Sequence, residues 1–201
     1  MPKPVIVAMS GASGAPYALR LLSALCEAKR DVYLTITGGA CQVLAAECGI
    51  KIEPTRPRIE ALREVEPGID PDRIRVFSIH NVAAPMASGT FLHDGMVIVP
   101  CSMGSVGRLA QVLSANLLER AADVCLKEKR RLVIVPRETP LHLIHLENLL
   151  TLARAGATIL PAMPGFYHRP ETVQQVVDSI VGKILDHLGV EHSVSRRWGS
   201  R

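Results

Sequence analysis

The chain has 201 residues, of which 48% are hydrophobic, and a formal net charge of +4 at pH 7. This length and apolar content predict one globular domain with a substantial core and exclude a disordered chain. No apolar run approaches the ~20 residues of a transmembrane helix, no signal-peptide pattern precedes the first predicted strand, and the basic cluster KEKRR lacks interleaved aromatic residues, so we expect a cytoplasmic protein without a membrane or nucleic-acid partner.

Short apolar segments alternate with longer amphipathic segments along the chain. Strands are predicted at residues 5–9, 32–37, 74–79, 96–100, 132–136 and 158–161. Most of them are continuous apolar runs, which are typical of strands buried on both faces of a parallel sheet. Strands that alternate with helices in this way predict a doubly wound α/β domain.

Helices are predicted between these strands from capping residues and apolar spacing. One follows Pro16, one is capped by Ser114, and one ends at Gly156. The last begins at Pro170 and ends at a glycine, as helices often do. Residues 51–73 are polar and proline-rich, so we expect an irregular excursion there.

Five cysteines are spread along the chain without a CxxC pair or a metal-type spacing to histidine. We therefore expect free thiols of a reducing compartment. His142 and His145 flank a predicted helix start, but no carboxylate or cysteine stands at metal spacing from them. We expect them to cap the helix or to pack in the core, and we predict no metal site.

Glycines and hydroxyl side chains follow three of the predicted strands. The first strand is followed by SGASG, the second by TGGA, and the fourth ends in PCSMGS. Because ligands of an open parallel sheet bind beyond the carboxyl ends of its strands, these loops are expected to lie together. The segment SGASG is not the GxGxxG fingerprint, and alone it is as consistent with a structural turn as with an anion site. The three loops together favour a phosphate-bearing ligand.

Three further segments bring charged or aromatic residues to candidate positions. The fifth strand ends in PRETP, a turn stiffened by prolines that presents Arg137 and Glu138, for which a surface ion pair is the alternative. Arg120 and Lys127 are seven residues apart on one predicted helix and project from nearly the same face, where solvent exposure is the alternative. Tyr167 stands in GFYHRP, after the last strand, in a chain with 3% aromatic residues.

Several of these segments together resemble the UbiX/Pad-type flavin prenyltransferases. They are SGASGAPYA, CSMGS, the long stretch from LSANLL to LENLLTL, and PGFYHRP, and RETPL followed by HLENL is the most specific part. The resemblance runs from about residue 5 to residue 188. It implies a flavodoxin-like or Rossmann-like three-layer sandwich in residues 1–190. A tail, residues 191–201, is expected to pack on a neighbouring subunit.

The resemblance also implies a reaction and its partners. The protein would be a homododecamer that binds FMN and dimethylallyl phosphate. It would join the dimethylallyl group to N5 and C6 of reduced FMN without a metal. The product, prenylated FMN, would serve UbiD-type decarboxylases.

The resemblance assigns roles to individual residues. The flavin-binding residues would be Gly11, Ala12, Ser13, Thr37, Ser102, Met103, Gly104, Ser105 and Arg137. The prenyl phosphate would be bound by Tyr167 and Lys183, with help from Arg120 and Lys127. The residues at or near the reacting flavin edge would be Ser13, Glu47 and Glu138, and together with Lys127 they form the predicted catalytic set.

The chain departs from the family pattern at two places. Lys183 stands where the family often has arginine, which keeps the charge but loses the bidentate fork. The stretch HNVAAPMASGT lacks the aromatic residue that some members have there. The resemblance suggests that Trp198, in the tail, supplies an aromatic side chain instead.

Two other functions stay open. Flavin-dependent cysteine decarboxylases resemble this chain in fold, but they use a catalytic histidine ahead of the fourth strand and a PASAN-type segment. This chain has APMASG and PCSMGS at the corresponding positions. A non-catalytic FMN-binding protein is the second alternative, and it would not need the four predicted phosphate-binding side chains.

Overall fold

Six parallel strands form one sheet in the computed structural model, which describes residues 2–55 and 58–195. They are β1 (Val5–Met9), β2 (Val32–Ile36), β3 (Ile74–Phe77), β4 (Met96–Cys101), β5 (Leu132–Pro136) and β6 (Thr158–Ile159). The strand order is β3-β2-β1-β4-β5-β6, and every pair is parallel. This order confirms the predicted doubly wound sheet, with its topological switch point between β1 and β4.

Seven α-helices lie within the described residues. They are α1 (Ala15–Glu27), α2 (Gly38–Cys48), α3 (Ile59–Val65), α4 (Met103–Ala110), α5 (Leu117–Lys127), α6 (Leu143–Arg154) and α7 (Val173–Leu188). None of these helices combines the length and the apolar character that crossing a membrane requires. The helices pack on the two faces of the sheet and complete the three layers.

The two faces of the sheet carry different helices, because successive side chains of a strand point to opposite sides. On β1, Val5, Val7 and Met9 pack in one core with buried residues of α1, α2, α3 and α7. Ile6 and Ala8 pack in a second core with buried residues of α4, α5 and α6. The helices α5 and α7 therefore lie on opposite faces of the sheet, which matters for the site described below.

The structure moves some predicted boundaries for local reasons. The second strand stops at Ile36, because the Thr37 hydroxyl oxygen accepts a hydrogen bond from Ala40 N and caps α2. The predicted cap Ser114 is wrong, since Asn116 caps α5 by accepting from the backbone N–H of Glu119 at 3.0 Å. The excursion at residues 51–73 contains the short helix α3.

Candidate functional site

The loops after β1 and β4 are joined across the switch point by one buried side chain. The Ser10 hydroxyl donates to Pro100 O at 3.1 Å and accepts from Ser102 N at 2.7 Å. Ser10 is 1% exposed, so these hydrogen bonds form away from water. The candidate residues 11–13 and 102–105 are thereby held next to each other. Sequence analysis did not select Ser10, although it directly precedes the first glycine.

The loop after β1 also lies close against the start of α2. A Cβ atom added to Gly11 would stand 3.0 Å from Gly39 Cα, and one added to Gly39 would stand 3.1 Å from Gly11 Cα. Neither position admits a side chain without a backbone shift. The predicted convergence of the three glycine- and serine-rich loops is therefore present in the structure, with glycine pairing as its physical basis.

Two helices begin at this edge with hydroxyl caps. Thr37 Oγ1 accepts from Ala40 N at 3.2 Å at the start of α2, and Ser102 Oγ accepts from Ser105 N at 3.3 Å at the start of α4. A Cβ atom added to Gly38 would meet nothing within 4 Å, so space is open over the first residue of α2. Helix N-termini favour anions through their N–H groups and the macrodipole.

The third helix that begins at this edge, α1, is capped by a carboxylate from α2. Glu47 Oε2 accepts from Gly14 N at 3.0 Å and from Ala15 N at 2.8 Å. Since Gly14 supplies no side-chain cap and Pro16 has no N–H group, Glu47 satisfies the first donors of α1. Glu47 lies beside Ser13, whose hydroxyl hydrogen-bonds to it, and it occupies N–H groups that an anion would otherwise contact.

The environment of Glu47 keeps its carboxyl ionised. Burial alone would raise the pKa of this group. Hydrogen bonds from the Ser13 hydroxyl and from two backbone N–H groups, together with the charge of Arg137, outweigh burial and hold the pKa below its ordinary value. A negative charge therefore stands at this edge at neutral pH, next to the hydroxyl of Ser13.

We expect Glu47→Gln to lower the free energy of unfolding at neutral pH by about 0.5–1 kcal/mol, the lower range for a helix cap because this group is solvent-screened. Because the folded-state pKa is lowered, the contribution is complete above the ordinary carboxyl pKa and is lost as pH falls through the folded-state value. Urea unfolding across a pH series measures it, with the exposed Glu64→Gln as control. A difference that persists undiminished in acid would contradict this role.

Arg137 and Glu138 follow β5 at the same edge of the sheet. Arg137 Nε donates to Ser13 O at 3.3 Å, which ties the turn after β5 to the loop after β1. Glu138 Oε1 accepts from Thr139 N at 3.1 Å, within its own turn. Both side chains are partly exposed. A cation and a carboxylate thus border the loops that carry the glycines and serines.

Arg120 and Lys127 lie on α5 beside the segment at residues 87–91. Arg120 Nε donates to Ala87 O at 3.2 Å, and its Nη1 is paired with Asp123 at 2.8 Å. Lys127 is paired with Glu128, and its Nζ would stand 2.9 Å from a Cβ atom added to Gly89. The two predicted cations therefore border one short segment, which confirms that they project from a common face.

Tyr167 and Lys183 line a cavity of about 610 Å³ along α7. Its other lining residues are His168, Arg169, Glu171, Gln175, Asp178, Ser179, Asp186, Val194 and Ser195. The cavity includes none of the predicted flavin-binding residues, and neither Arg120 nor Lys127. Trp198, the remaining predicted substrate contact, lies outside the described residues.

The predicted phosphate-binding side chains therefore form two groups in one chain. Arg120 and Lys127 belong to α5, whose apolar residues pack in the core on one face of the sheet. Lys183 belongs to α7, whose apolar residues pack in the core on the other face. A single subunit therefore presents these cations on two separate surfaces.

Comparison with known proteins shows the family of this chain. A family model described as Flavoprotein matches residues 1–185. The flavin prenyltransferase UbiX of Alkalihalophilus pseudofirmus is 50% identical over 197 residues, which cover 98% of this chain and 96% of that protein. This chain belongs to the UbiX flavin prenyltransferase family. The resemblance that the sequence motifs indicated is thus confirmed over nearly the full length.

Solved structures of the UbiX family share the fold. The crystal structure of AnUbiX (PadA1) in complex with FMN and dimethylallyl pyrophosphate has a TM-score of 0.86 at 35% identity and covers 100% of both chains. A dodecameric FMN-dependent UbiX-like decarboxylase from Escherichia coli O157:H7 has a TM-score of 0.85 at 38% identity, covering 98% of this chain and 100% of that one. The three-layer α/β architecture is therefore that of the family.

Proposed function

We propose that this chain is a metal-independent flavin prenyltransferase, which joins the dimethylallyl group of dimethylallyl phosphate to N5 and C6 of reduced FMN. The observation that carries the proposal is the convergence of glycine and hydroxyl loops at the switch point, in a chain of the UbiX family. When bound, reduced FMN supplies the nucleophilic nitrogen and carbon. The protein supplies binding, orientation and proton transfer.

The loops at the switch point fit a flavin mononucleotide. The N-termini of α2 and α4 offer N–H groups and hydroxyl caps to phosphate and hydroxyl oxygens. The pairing of Gly11 with Gly39 lets a flat ligand approach the backbone. Arg137 adds a positive charge where the loops after β1 and β5 meet. Ser13 is directed to the same edge, where it would hydrogen-bond near flavin N5.

The cationic side chains account for prenyl transfer without a metal. Loss of phosphate from an allylic carbon builds negative charge on the phosphate oxygens, and Arg120, Lys127 and Lys183 would stabilise it. Tyr167 would offer an electron-rich face to the allylic cation. Ring closure at C6 requires removal of a proton, for which Glu138 and the departing phosphate are the two candidate bases.

Assembly of several copies would bring the separated cations together. Since α5 and α7 lie on opposite faces of one sheet, a shared phosphate site needs α5 of one copy and α7 of another. The exposed surface of α6 supports assembly, because four of its apolar side chains are between 49% and 69% exposed: Leu143, Ile144, Leu146 and Leu150. Apolar patches of this kind mark interfaces. We propose the homododecamer as the assembled form.

The remaining parts of the proposal concern the chain termini, the product and the compartment. Residues 1–190 would form one flavin-binding domain, and residues 191–201 would pack on a neighbouring subunit. Within that tail, His192 Nε2 contacts Asp186 Oδ1 at 3.2 Å at the end of α7, so the tail starts beside the α7 cavity. Prenylated FMN would pass to a UbiD-type decarboxylase in the cytoplasm.

Incubation of the protein with reduced FMN and dimethylallyl phosphate is expected to yield a flavin heavier by one dimethylallyl unit, because both substrates would meet at the switch-point edge. Mass spectrometry of the extracted flavin measures this. A protein that binds FMN but returns it unchanged would instead be the non-catalytic alternative. Release of carbon dioxide from a peptidyl cysteine would favour the decarboxylase alternative.

A further inference from the structure

Glu119 is a buried carboxylate that the proposed chemistry does not use. It lies in the first turn of α5, and its side chain is 1% exposed. One oxygen accepts from Arg108 Nε, and the other accepts from Ala115 N at 2.9 Å. Because a buried charge is costly unless it is paired and hydrogen-bonded, this arrangement fixes the orientation of Arg108.

Arg108, so held, places its guanidinium along the first turn of α4. Its Nη2 donates to Ser105 Oγ at 3.4 Å. Its Nη1 would stand 3.7 Å from a Cβ atom added to Gly104. Both terminal nitrogens thus face the turn that carries the predicted flavin-binding residues 102–105. Neither sequence motifs nor the resemblance selected Arg108 or Glu119.

The hydrogen bonds among Arg108, Ser105 and Ser102 determine which of the two serine hydroxyls donates its proton to the other. Arginine only donates, so Ser105 Oγ accepts from Arg108. Ser105 is 1% exposed, and Ser102 Oγ, 3.1 Å away, is the acceptor for the Ser105 proton among the described hydrogen bonds. Ser102 Oγ also accepts from Ser105 N at 3.3 Å. Both lone pairs of Ser102 Oγ are then used, and its proton must be donated elsewhere.

We propose that Arg108, held by Glu119, is a positioning residue that makes Ser102 present an O–H donor to an oxygen of FMN. This inference rests on the proposed function, since it takes FMN to bind at the start of α4. Arg108 cannot accept the proton of the buried Ser105 hydroxyl, so Ser105 donates to Ser102. Without Arg108, water can accept the Ser105 proton, the two serines can reverse their shared hydrogen bond, and Ser102 then offers a lone pair instead of a proton. An oxygen-rich ligand binds less well to a lone pair than to a donor.

A double-mutant cycle on FMN affinity tests the proposal. Arg108→Met is expected to weaken FMN binding by about tenfold, the size of one hydrogen bond. In a Ser105→Ala background, the same substitution is expected to change affinity by less than about twofold, because the relay is already broken. Titration of FMN fluorescence with apoprotein measures all four proteins. Equal effects in both backgrounds would overturn the proposal.

Three further variants separate positioning from general damage to the fold. Glu119→Gln keeps an acceptor for Ala115 N but loses the charge that holds Arg108, so it should weaken FMN binding and also show coupling to Ser105→Ala. Arg108→Lys keeps a donor and should recover part of the affinity. Arg63→Met, an exposed substitution on α3, should change nothing. Unchanged affinity in both Arg108→Met and Glu119→Gln would overturn the inference.

Measurements on the parent protein distinguish a failure of this inference from a failure of the proposed function. If the parent binds FMN and forms the prenylated product but the cycle shows no coupling, the role of Arg108 is wrong and the proposed function stands. If the parent does not bind FMN, the proposed function fails, and this inference fails with it.

Discussion

Glu138→Gln is expected to bind FMN and dimethylallyl phosphate nearly as the parent does but to form prenylated FMN about 10²–10⁴-fold more slowly, the range for loss of a general base. Glutamine keeps the shape and the hydrogen bond to Thr139 N that Glu138 makes in the turn. It cannot take a proton. The effect should therefore fall on the rate of the chemical step and leave the affinities unchanged.

The location of Glu138 is the reason for expecting so large an effect. The residue directly follows Arg137, which is tied to the loop after β1 by its hydrogen bond to Ser13 O. Glu138 is partly exposed, and its contact with Thr139 N within the turn uses one carboxylate oxygen, Oε1. A carboxylate in this position would reach the flavin edge once FMN lies on the loops.

Single-turnover experiments with reduced FMN measure the rate, and equilibrium titrations measure both affinities. Glu64→Gln, an exposed substitution on α3, is the matched control and should react at the parent rate. Lys127→Ala should behave differently and lose affinity for the prenyl phosphate as well as rate. Product formation at full speed in Glu138→Gln would exclude this role and leave the departing phosphate as the base.

Much of the fold was predictable because the strands are continuous apolar runs. Residues 5–9 and 132–136 were predicted with the boundaries that the structure has. Errors occurred where a polar side chain changes the local preference. Thr37 has a β-branched side chain that suits a strand, yet its hydroxyl caps α2. Asn116 and Ser114 are both acceptable caps, and sequence alone does not choose between them.

The glycine- and serine-rich loops of the candidate site were visible in the sequence, but the hydrogen bonds that join them were not. Glu47 is 32 residues from Ala15 along the chain, and only the packed structure shows that it caps α1. The pair formed by Arg108 and Glu119 joins two helices across a turn, so no motif reports it. Hydrogen bonds of this kind depend on tertiary packing, whereas the glycines and serines of the loops are visible as local patterns.

The sequence also did not predict that the proposed phosphate-binding side chains belong to helices on opposite faces of the sheet. Arg120 and Lys127 are seven residues apart. This spacing predicts a common helix face, but it does not predict on which face of the sheet the helix packs. The layer depends on which core the helix joins, and α5 joins the one opposite to α7. An apolar stripe on a helix does not specify which face of a sheet it covers. The proposal that a second copy completes the phosphate site therefore rests on the packing of these helices and not on the sequence.

Lys127→Ala and Lys183→Ala are each expected to lose about 10²–10³-fold in activity, because each would remove a donor to the phosphate. Co-assembly of the two inactive variants is expected to restore about a quarter of the parent activity, since a site built from α5 of one copy and α7 of another is intact in about one of four random combinations. Co-expression with two affinity tags, tandem purification and a prenylation assay measure the recovery.

Co-assembly of two variants that carry their substitutions in the same helix or the same cavity is the control for this test. Lys127→Ala co-assembled with Arg120→Ala should recover nothing, because both substitutions lie on α5 and every site then takes one of them. Lys183→Ala with Tyr167→Ala should likewise recover nothing, since both residues line the α7 cavity. If activity is recovered only when a variant substituted on α5 is co-assembled with a variant substituted in the α7 cavity, the site must be shared between copies. If the mixed assembly of Lys127→Ala and Lys183→Ala is no more active than the single variants, the α5 side chains and the α7-cavity side chains do not share a phosphate across subunits. Because α5 and α7 lie on opposite faces of the sheet, either the α5 pair or the α7-cavity pair would then be excluded from the reaction.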